Sequence, residues 1–197
     1  MFAFSTTTIT YILVLLCVLL LIVLNYLIDN YNKNQLSQVF IITFVLFIFW
    51  VLGLILQLFC VSNYNANPVY FEYFTYIAEC FLPVIFLFLS LIFAKTKITF
   101  KKRYLLLFVI PVISLLMLWT NDFHHLFYIN YSTEISNTTF GNYFYIHFAY
   151  TYLLYAISLF ILIKYSIKNS GFFSKQAMVI LIGYLVPIIV NILGYLE

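Results

Sequence analysis

The chain has 197 residues, of which 65% are hydrophobic, 22% aromatic and 8% charged, with a formal net charge of +3. Its mean hydropathy is +1.09. Soluble domains contain about 45–50% apolar and about 25% charged residues, so this composition excludes a soluble enzyme, a nucleic-acid-binding protein and a disordered chain. The sequence therefore predicts an integral membrane protein.

Six runs of residues are long and apolar enough to cross the hydrocarbon core as helices, which takes about 20 residues each. They cover residues 8–28, 38–61, 71–94, 104–120, 143–164 and 175–196. The runs are continuously apolar and lack the alternation of barrel strands, so we predict an all-α, multi-pass transmembrane helical bundle. We expect residues 1–197 to form a single domain, in which only the connection 121–142 is long enough to fold by itself.

The basic residues indicate how the chain is oriented. All nine Lys and Arg side chains lie in or at the edges of the connections after the first, third and fifth runs; the first is Lys33 and the last is Lys175. Basic loops stay in the cytoplasm, so we predict a plasma-membrane protein with its N-terminus and the loops 62–70 and 121–142 outside. The chain stops at Glu197, at the end of the sixth run, as a fragment of a longer protein would.

Glu79 lies about eight residues into the third run, and an ionisable side chain within the membrane suggests a functional site. Because all the basic residues lie on the other side, we expect Glu79 to be neutral, hydrated or hydrogen-bonded to His, Tyr, Asn or Gln. The alternative is an acid that only assists packing. Counting from the outer ends of the runs gives a depth of roughly 6–12 Å for four further polar side chains, which are Gln57, His147, Tyr150 and Asn191.

The outer loop contains two adjacent histidines, His124 and His125, close to Asn121 and Asp122. One interpretation is a metal or ligand site. The other is a turn that caps the fourth helix, because adjacent histidines on a loop rarely face one ion. We expect neither a metal nor a cofactor. The combined hypothesis is an outward-facing ligand pocket lined by Gln57, Glu79, His147, Tyr150 and Asn191 and roofed by Asn121, His124 and His125.

The ordered motifs resemble the seven-helix N-terminal sensor region of bacterial histidine kinases. Residues 120–127 are similar to the stretch T-N-x-x-H-x-L-F/W that follows the fourth helix of that family. The other matching positions are Trp50 and Gly53 in the second run, Pro83 in the third, Gly141, Phe144, His147, Tyr150 and Tyr152 at the start of the fifth, and Gln176, Gly183, Pro187 and Asn191 in the sixth.

This resemblance implies the sensory input domain of a two-component signalling receptor. It also implies a seventh helix, which these residues lack, and a cytoplasmic output domain, so we expect the chain to be an input module without enzymatic activity. The expected partners are the lipid bilayer, an unknown small ligand and the output domain; homodimerisation is left open, and no nucleic acid is expected. The alternative is a small transporter or channel subunit in which Glu79 relays protons or ions. An intramembrane enzyme is a third class, but the sequence shows no paired nucleophile for it.

Overall fold

A computed structural model describes residues 6–31, 33–64, 69–95, 99, 101–132, 137–168 and 180. The α-helices are Thr6–Asp29 (α1), Gln35–Tyr64 (α2), Val69–Lys95 (α3), Val109–Trp119 (α4), Asn121–His124 (α5) and Asn142–Lys168 (α6). A 3₁₀ helix, Lys102–Phe108, precedes α4. Two short strands, Tyr128–Asn130 (β1) and Thr139–Phe140 (β2), lie between α5 and α6.

Five helices within the described residues are long and apolar enough to cross a membrane, judged by length and composition. They are Thr7–Asp29, Gln35–Val61, Val69–Ala94, Lys102–Trp119 and Asn142–Lys168, and they overlap the first five predicted runs. The all-α, multi-pass architecture is therefore confirmed. The sixth predicted run, 175–196, lies outside the described residues except for residue 180.

The chain divides into two compact units, Met1–Leu82 and Pro83–Glu197, and the division falls inside α3. The prediction of a single domain over 1–197 stays a prediction. In the first unit, α1 packs against α2 through a buried cluster of Cys17, Ile48 and Val51. Most of the remaining α1 surface is exposed and apolar, as expected for a helix whose other faces contact lipid.

The first unit also contains a close approach of α2 and α3 at Gly53. A Cβ atom on Gly53 would overlap the Thr75 hydroxyl oxygen and would lie 3.1 Å from the Thr75 Cβ and 3.2 Å from its Cα. Thr75 is 1% exposed. The two helices can therefore pack this closely only because residue 53 has no side chain.

The core of the second unit joins the C-terminal part of α3 to α6. Val84, Leu87 and Phe88 of α3 are buried together with Leu154 of α6. The Phe88 ring is stacked on Phe108 with its centroid 6.1 Å away. Large apolar side chains thus fill the space between these helices.

The fourth predicted run, 104–120, is not one continuous α-helix. Residues Lys102–Phe108 are 3₁₀ and Val109–Trp119 are α-helical. Pro111 is the third residue of α4 and lacks the N–H that would bond to the carbonyl of Leu107 one turn earlier. The change of helix type therefore coincides with a missing backbone donor.

The loop after α4 folds by itself, as the length of the connection predicts. The strands β1 and β2 pair in an antiparallel arrangement, and Phe127, just before β1, is 0% exposed. Gly141 lies against the backbone of Leu126, since a Cβ there would overlap the Leu126 carbonyl group and lie 2.7 Å from the His125 carbonyl oxygen. The Tyr143 N–H donates to the Leu126 carbonyl at 2.9 Å. These contacts attach the loop to the start of α6.

Candidate functional site

Polar side chains of α2 and α3 form a cluster in the first unit. We call it the α2–α3 polar cluster and define it as Trp50, Gln57, Glu72, Thr75 and Glu79. Its three α3 members recur at intervals of three and four residues, so they lie on one face of that helix. The α2 members face them across the close approach at Gly53, because hydrogen bonds join the two helices on either side of that glycine.

Glu79 receives a hydrogen bond from an indole rather than from the partners expected from the sequence. The Trp50 Nε1–H donates to the Glu79 carboxyl, with 3.0 Å between Nε1 and Oε1. Both side chains are half-buried. Tryptophan has a single donor and no acceptor, so this contact is directional. It orients a carboxyl group that lies inside a candidate span.

Gln57 bonds to two other side chains of the cluster. Its Nε2 atom donates to Glu72 Oε2 at 2.8 Å and to Thr75 Oγ1 at 3.0 Å. The Thr75 hydroxyl donates in turn to the Phe71 carbonyl at 2.9 Å, so its oxygen acts as the acceptor for Gln57. Gln57 therefore pairs with the first two turns of α3. Glu79 lies about two turns beyond Glu72 along that helix.

In the second unit, the His147 side chain of α6 is buried against α4. Its Nδ1 atom is 3.1 Å from Ser114 Oγ, and the same Ser114 oxygen is 3.3 Å from the Tyr143 hydroxyl. His147 is 6% exposed and Ser114 is 0% exposed. The ring of Phe127 lies 5.7 Å from the imidazole, measured between centroids. The imidazole thus has an apolar wall from the loop and a polar contact with α4.

Tyr150 contacts the backbone where the 3₁₀ helix meets α4. Its hydroxyl donates to the Leu107 carbonyl at 2.6 Å. In an α-helix this carbonyl would accept the N–H of residue 111. That residue is Pro111, which has no N–H to donate. A side chain of α6 therefore donates to a backbone carbonyl that has no α-helical partner. Inside an apolar span an unsatisfied backbone group costs several kcal/mol.

Asn121 organises the loop from within. Its Oδ1 atom accepts the N–H groups of Phe127 at 2.9 Å and of Tyr128 at 3.0 Å. Its Nδ2 atom donates to the Tyr128 carbonyl at 2.8 Å. With 8% of its surface exposed, the side chain is occupied by backbone groups of its own loop.

His124 bonds within the loop through both ring nitrogens. The Thr120 hydroxyl donates to the Leu116 carbonyl at 2.7 Å, so its oxygen is an acceptor for His124 Nε2, which is 3.1 Å away. The proton is therefore on Nε2, and Nδ1 accepts the Leu126 N–H at 2.9 Å. These bonds fit the interpretation of the segment as a turn that caps the fourth helix.

His125 is exposed and ends α5 with a left-handed backbone, φ 52° and ψ 28°. Neither this residue nor His124 belongs to a metal-binding group in the described part of the chain, where no three His, Cys, Asp or Glu side chains are placed to hold an ion.

The seven candidate residues that the structure describes are thus distributed over three local arrangements. Gln57 and Glu79 belong to the α2–α3 polar cluster, His147 and Tyr150 contact α4 and the 3₁₀ helix, and the three loop residues belong to α5 and its cap. Asn191 lies outside the described residues. Their assignment to one ligand pocket stays a prediction.

Several polar residues at these positions were missed by the sequence reasoning. They are Trp50, Glu72, Thr75, Ser114 and Tyr143. Trp50 lies on the candidate span that precedes that of Glu79 in the sequence, and Ser114 lies on the candidate span that precedes that of His147. A search for polar residues that face Glu79 or His147 across two consecutive antiparallel spans would have found them.

A family model described as the N-terminal 7TM region of histidine kinase matches residues 11–196. The match includes all eight candidate residues. Neither the curated proteins nor the solved structures give a match.

Proposed function

Because this chain belongs to the family of N-terminal seven-helix membrane regions of histidine kinases, we propose that it binds a small ligand and changes the state of a receptor in response. As a member of this family, the chain is a sensory input domain that works in a lipid bilayer together with a cytoplasmic output domain. The ligand and its site are the proposed part. The ligand reaches the chain from outside the cell or from within the membrane.

The contact between Trp50 and Glu79 is the observation that carries this proposal. A carboxyl inside a span is costly, and such residues are usually functional. An ionised carboxylate offers about four acceptor positions, and a protonated carboxyl offers a donor as well as acceptors. The indole uses one acceptor position at 3.0 Å. A polar or amphipathic ligand with a donor group can use the others while apolar walls bury the rest of it.

The same contact supplies a means of response. Trp50 also packs against the buried cluster that joins α1 to α2. A ligand that displaces the indole from Glu79 therefore changes the packing of α1 on α2 as well as the contact between α2 and α3. Helices that shift against one another are a common way for a binding event to reach a distant domain.

Two further statements belong to the proposal. We place the N-terminus outside, because all nine basic residues lie in the alternate connections assigned to the cytoplasm. We also propose that the chain binds its ligand without catalysing a reaction, so that phosphotransfer belongs to the output domain. Phosphotransfer by the purified 197-residue chain would contradict this assignment.

The test compares Glu79→Gln and Trp50→Phe in the complete receptor, with Asp29→Asn as a control. Glu79→Gln keeps the shape and one acceptor oxygen but removes the carboxyl group. Trp50→Phe keeps most of the ring but removes the donor of the hydrogen bond. Asp29 is exposed at the end of α1, so its amide variant removes a charge away from the cluster. The measurements are the amount of receptor in the membrane and the transcription driven by its output domain.

We expect both cluster variants to reach wild-type amounts in the membrane and to change the output, and the control to leave it unchanged. Wild-type output from both cluster variants at wild-type amounts would contradict a role for the cluster. Ion flux in proteoliposomes that depends on Glu79 would instead favour the transporter alternative.

A further inference from the structure

The exposed face of α4 continues past the end of the span into α5. Along α4 the exposed apolar side chains include Val112, Leu116 and Trp119, which are spaced by three or four residues and so lie on one side of the helix. Phe123 of α5 comes four residues after Trp119 and is 90% exposed. The apolar face therefore ends on an almost fully exposed phenylalanine.

The buried face of α4 continues in the same way. Ser114 and Leu118 are both 0% exposed, and Asn121 of α5 is 8% exposed. The backbone supports this continuity, because the Thr120 N–H donates to the Leu116 carbonyl at 3.0 Å and the Phe123 N–H donates to the Thr120 carbonyl at 3.1 Å. The turn α5 thus keeps both faces of the span that precedes it.

The contrast with Phe127 shows that exposure of Phe123 is specific to its position. After α5 the chain reverses at His125, whose φ is 52°, and Phe127 is then buried to 0% exposure. The same short loop therefore buries Phe127 against aromatic rings of β1 and α6 and leaves Phe123 on the exposed apolar side of α4.

The position of Phe123 along the helix matches the headgroup layer of a bilayer. Four residues beyond Trp119 correspond to about 6 Å, and headgroups add about 5–8 Å on each side of the hydrocarbon core. Its neighbour Asp122 is also exposed, but it lies roughly 100° around the helix. One turn therefore presents an apolar ring in one direction and a carboxylate in another, as interfacial helices do.

We propose that α5 is an interfacial anchor, with Phe123 inserted at the boundary between lipid headgroups and acyl chains beside Trp119. The partner of this surface is the bilayer, and the argument for it is continuity with the lipid-facing side of α4. The proposal does not depend on ligand binding. It fixes the depth of the α5 end of the loop at the membrane surface. Gly141 and Tyr143 attach the loop to α6.

The test places a nitroxide spin label at residue 123 through Phe123→Cys, and in a matched variant at residue 122 through Asp122→Cys. Cys17, Cys60 and Cys80 are replaced by alanine in both. The labelled chains are reconstituted in vesicles of phosphatidylethanolamine and phosphatidylglycerol. Continuous-wave electron paramagnetic resonance then compares collisions with oxygen, which concentrates in lipid, with collisions with a water-soluble nickel chelate.

We expect the ratio of oxygen to nickel collisions to be several-fold higher at 123 than at 122. Equal, water-like ratios at both positions would overturn the proposal. Dipolar broadening at 123 that disappears on dilution with unlabelled protein would also overturn it, since a second copy of the chain would then cover this surface. Circular dichroism of the labelled chains confirms that each variant compared is folded.

Discussion

Replacing Gly53 with alanine tests the close approach of α2 and α3 directly. The added Cβ would overlap the Thr75 hydroxyl oxygen and lie 3.1 Å from the Thr75 Cβ. That hydroxyl cannot rotate away without losing two contacts, because it donates to the Phe71 carbonyl and accepts the Gln57 amide. The helices must therefore separate or the hydrogen bonds must break.

The size of the effect follows from three contributions. Overpacking a tight contact costs about 1–3 kcal/mol, and the loss of one hydrogen bond adds about 0.5–1.5 kcal/mol. Alanine favours the helix over glycine by about 1 kcal/mol, which opposes them. We expect Gly53→Ala to lower the free energy of unfolding by about 0.5–3.5 kcal/mol.

The assay is thermal unfolding of the purified chain in nanodiscs, followed by circular dichroism. For a chain of this length, 1 kcal/mol corresponds to a change of about 2–4 °C in the melting temperature. Leu52→Ala, at an exposed neighbouring position, is the control and should have a smaller effect. The double variant Gly53→Ala/Thr75→Ala removes the overlapping hydroxyl, so its effect should be smaller than the sum of the two single effects. A melting temperature for Gly53→Ala at or above that of the wild type would refute the reasoning.

Three further predictions concern the loop, α6 and the orientation. Asn121→Ala removes three hydrogen bonds to the loop backbone and should cost about 1.5–4 kcal/mol, seen as faster amide hydrogen exchange in the loop; wild-type exchange would contradict the role given to this side chain. Tyr150→Phe removes the donor to the Leu107 carbonyl and should lower stability by about 1 kcal/mol, measured by the same thermal unfolding, whereas an unchanged melting temperature would argue against that bond. A cysteine at Asn137 should react with an impermeant thiol reagent in intact cells and a cysteine at Lys97 should not, and labelling at Lys97 would reverse the proposed orientation.

The spans could be predicted from the sequence because each is marked by many consecutive apolar residues, no single one of which is essential for recognising it. A run of about 20 apolar residues survives many substitutions, so the positions of α1, α2, α3 and α6 follow from hydropathy alone. The helix type of residues 102–108 could not be predicted in this way. Hydropathy does not distinguish a 3₁₀ helix from an α-helix. The residues that indicate the change of helix type are Pro111, which lacks a backbone donor, and Tyr150, whose hydroxyl bonds to the Leu107 carbonyl.

The side-chain partners were harder to predict than the helices. The sequence predicts that Glu79 is neutral, hydrated or hydrogen-bonded to His, Tyr, Asn or Gln, and it does not predict the bond from Trp50. A partner in a helix pair depends on the rotation and register of the helices, which hydropathy does not contain. The close approach at Gly53 was missed since it involves one glycine opposite a threonine rather than a repeated small-residue motif. The sequence assigns Asn121 to a ligand site, which stays a prediction; the bonds of its amide to the backbone of its own loop could not be predicted from hydropathy.

The 3₁₀ helix before α4 also changes how far a short span can reach. The span Lys102–Trp119 has 18 residues, the fewest of those described, and as a uniform α-helix it would be about 27 Å long. Seven of those residues are 3₁₀, each of which rises about 2.0 Å instead of 1.5 Å, so the segment reaches about 30 Å, the thickness of the hydrocarbon core. Winding the same residues into an α-helix would shorten the span by about 3.5 Å and create a hydrophobic mismatch, which membranes answer with tilt or local thinning. In this segment the helix type, as well as the residue count, sets how far the span reaches.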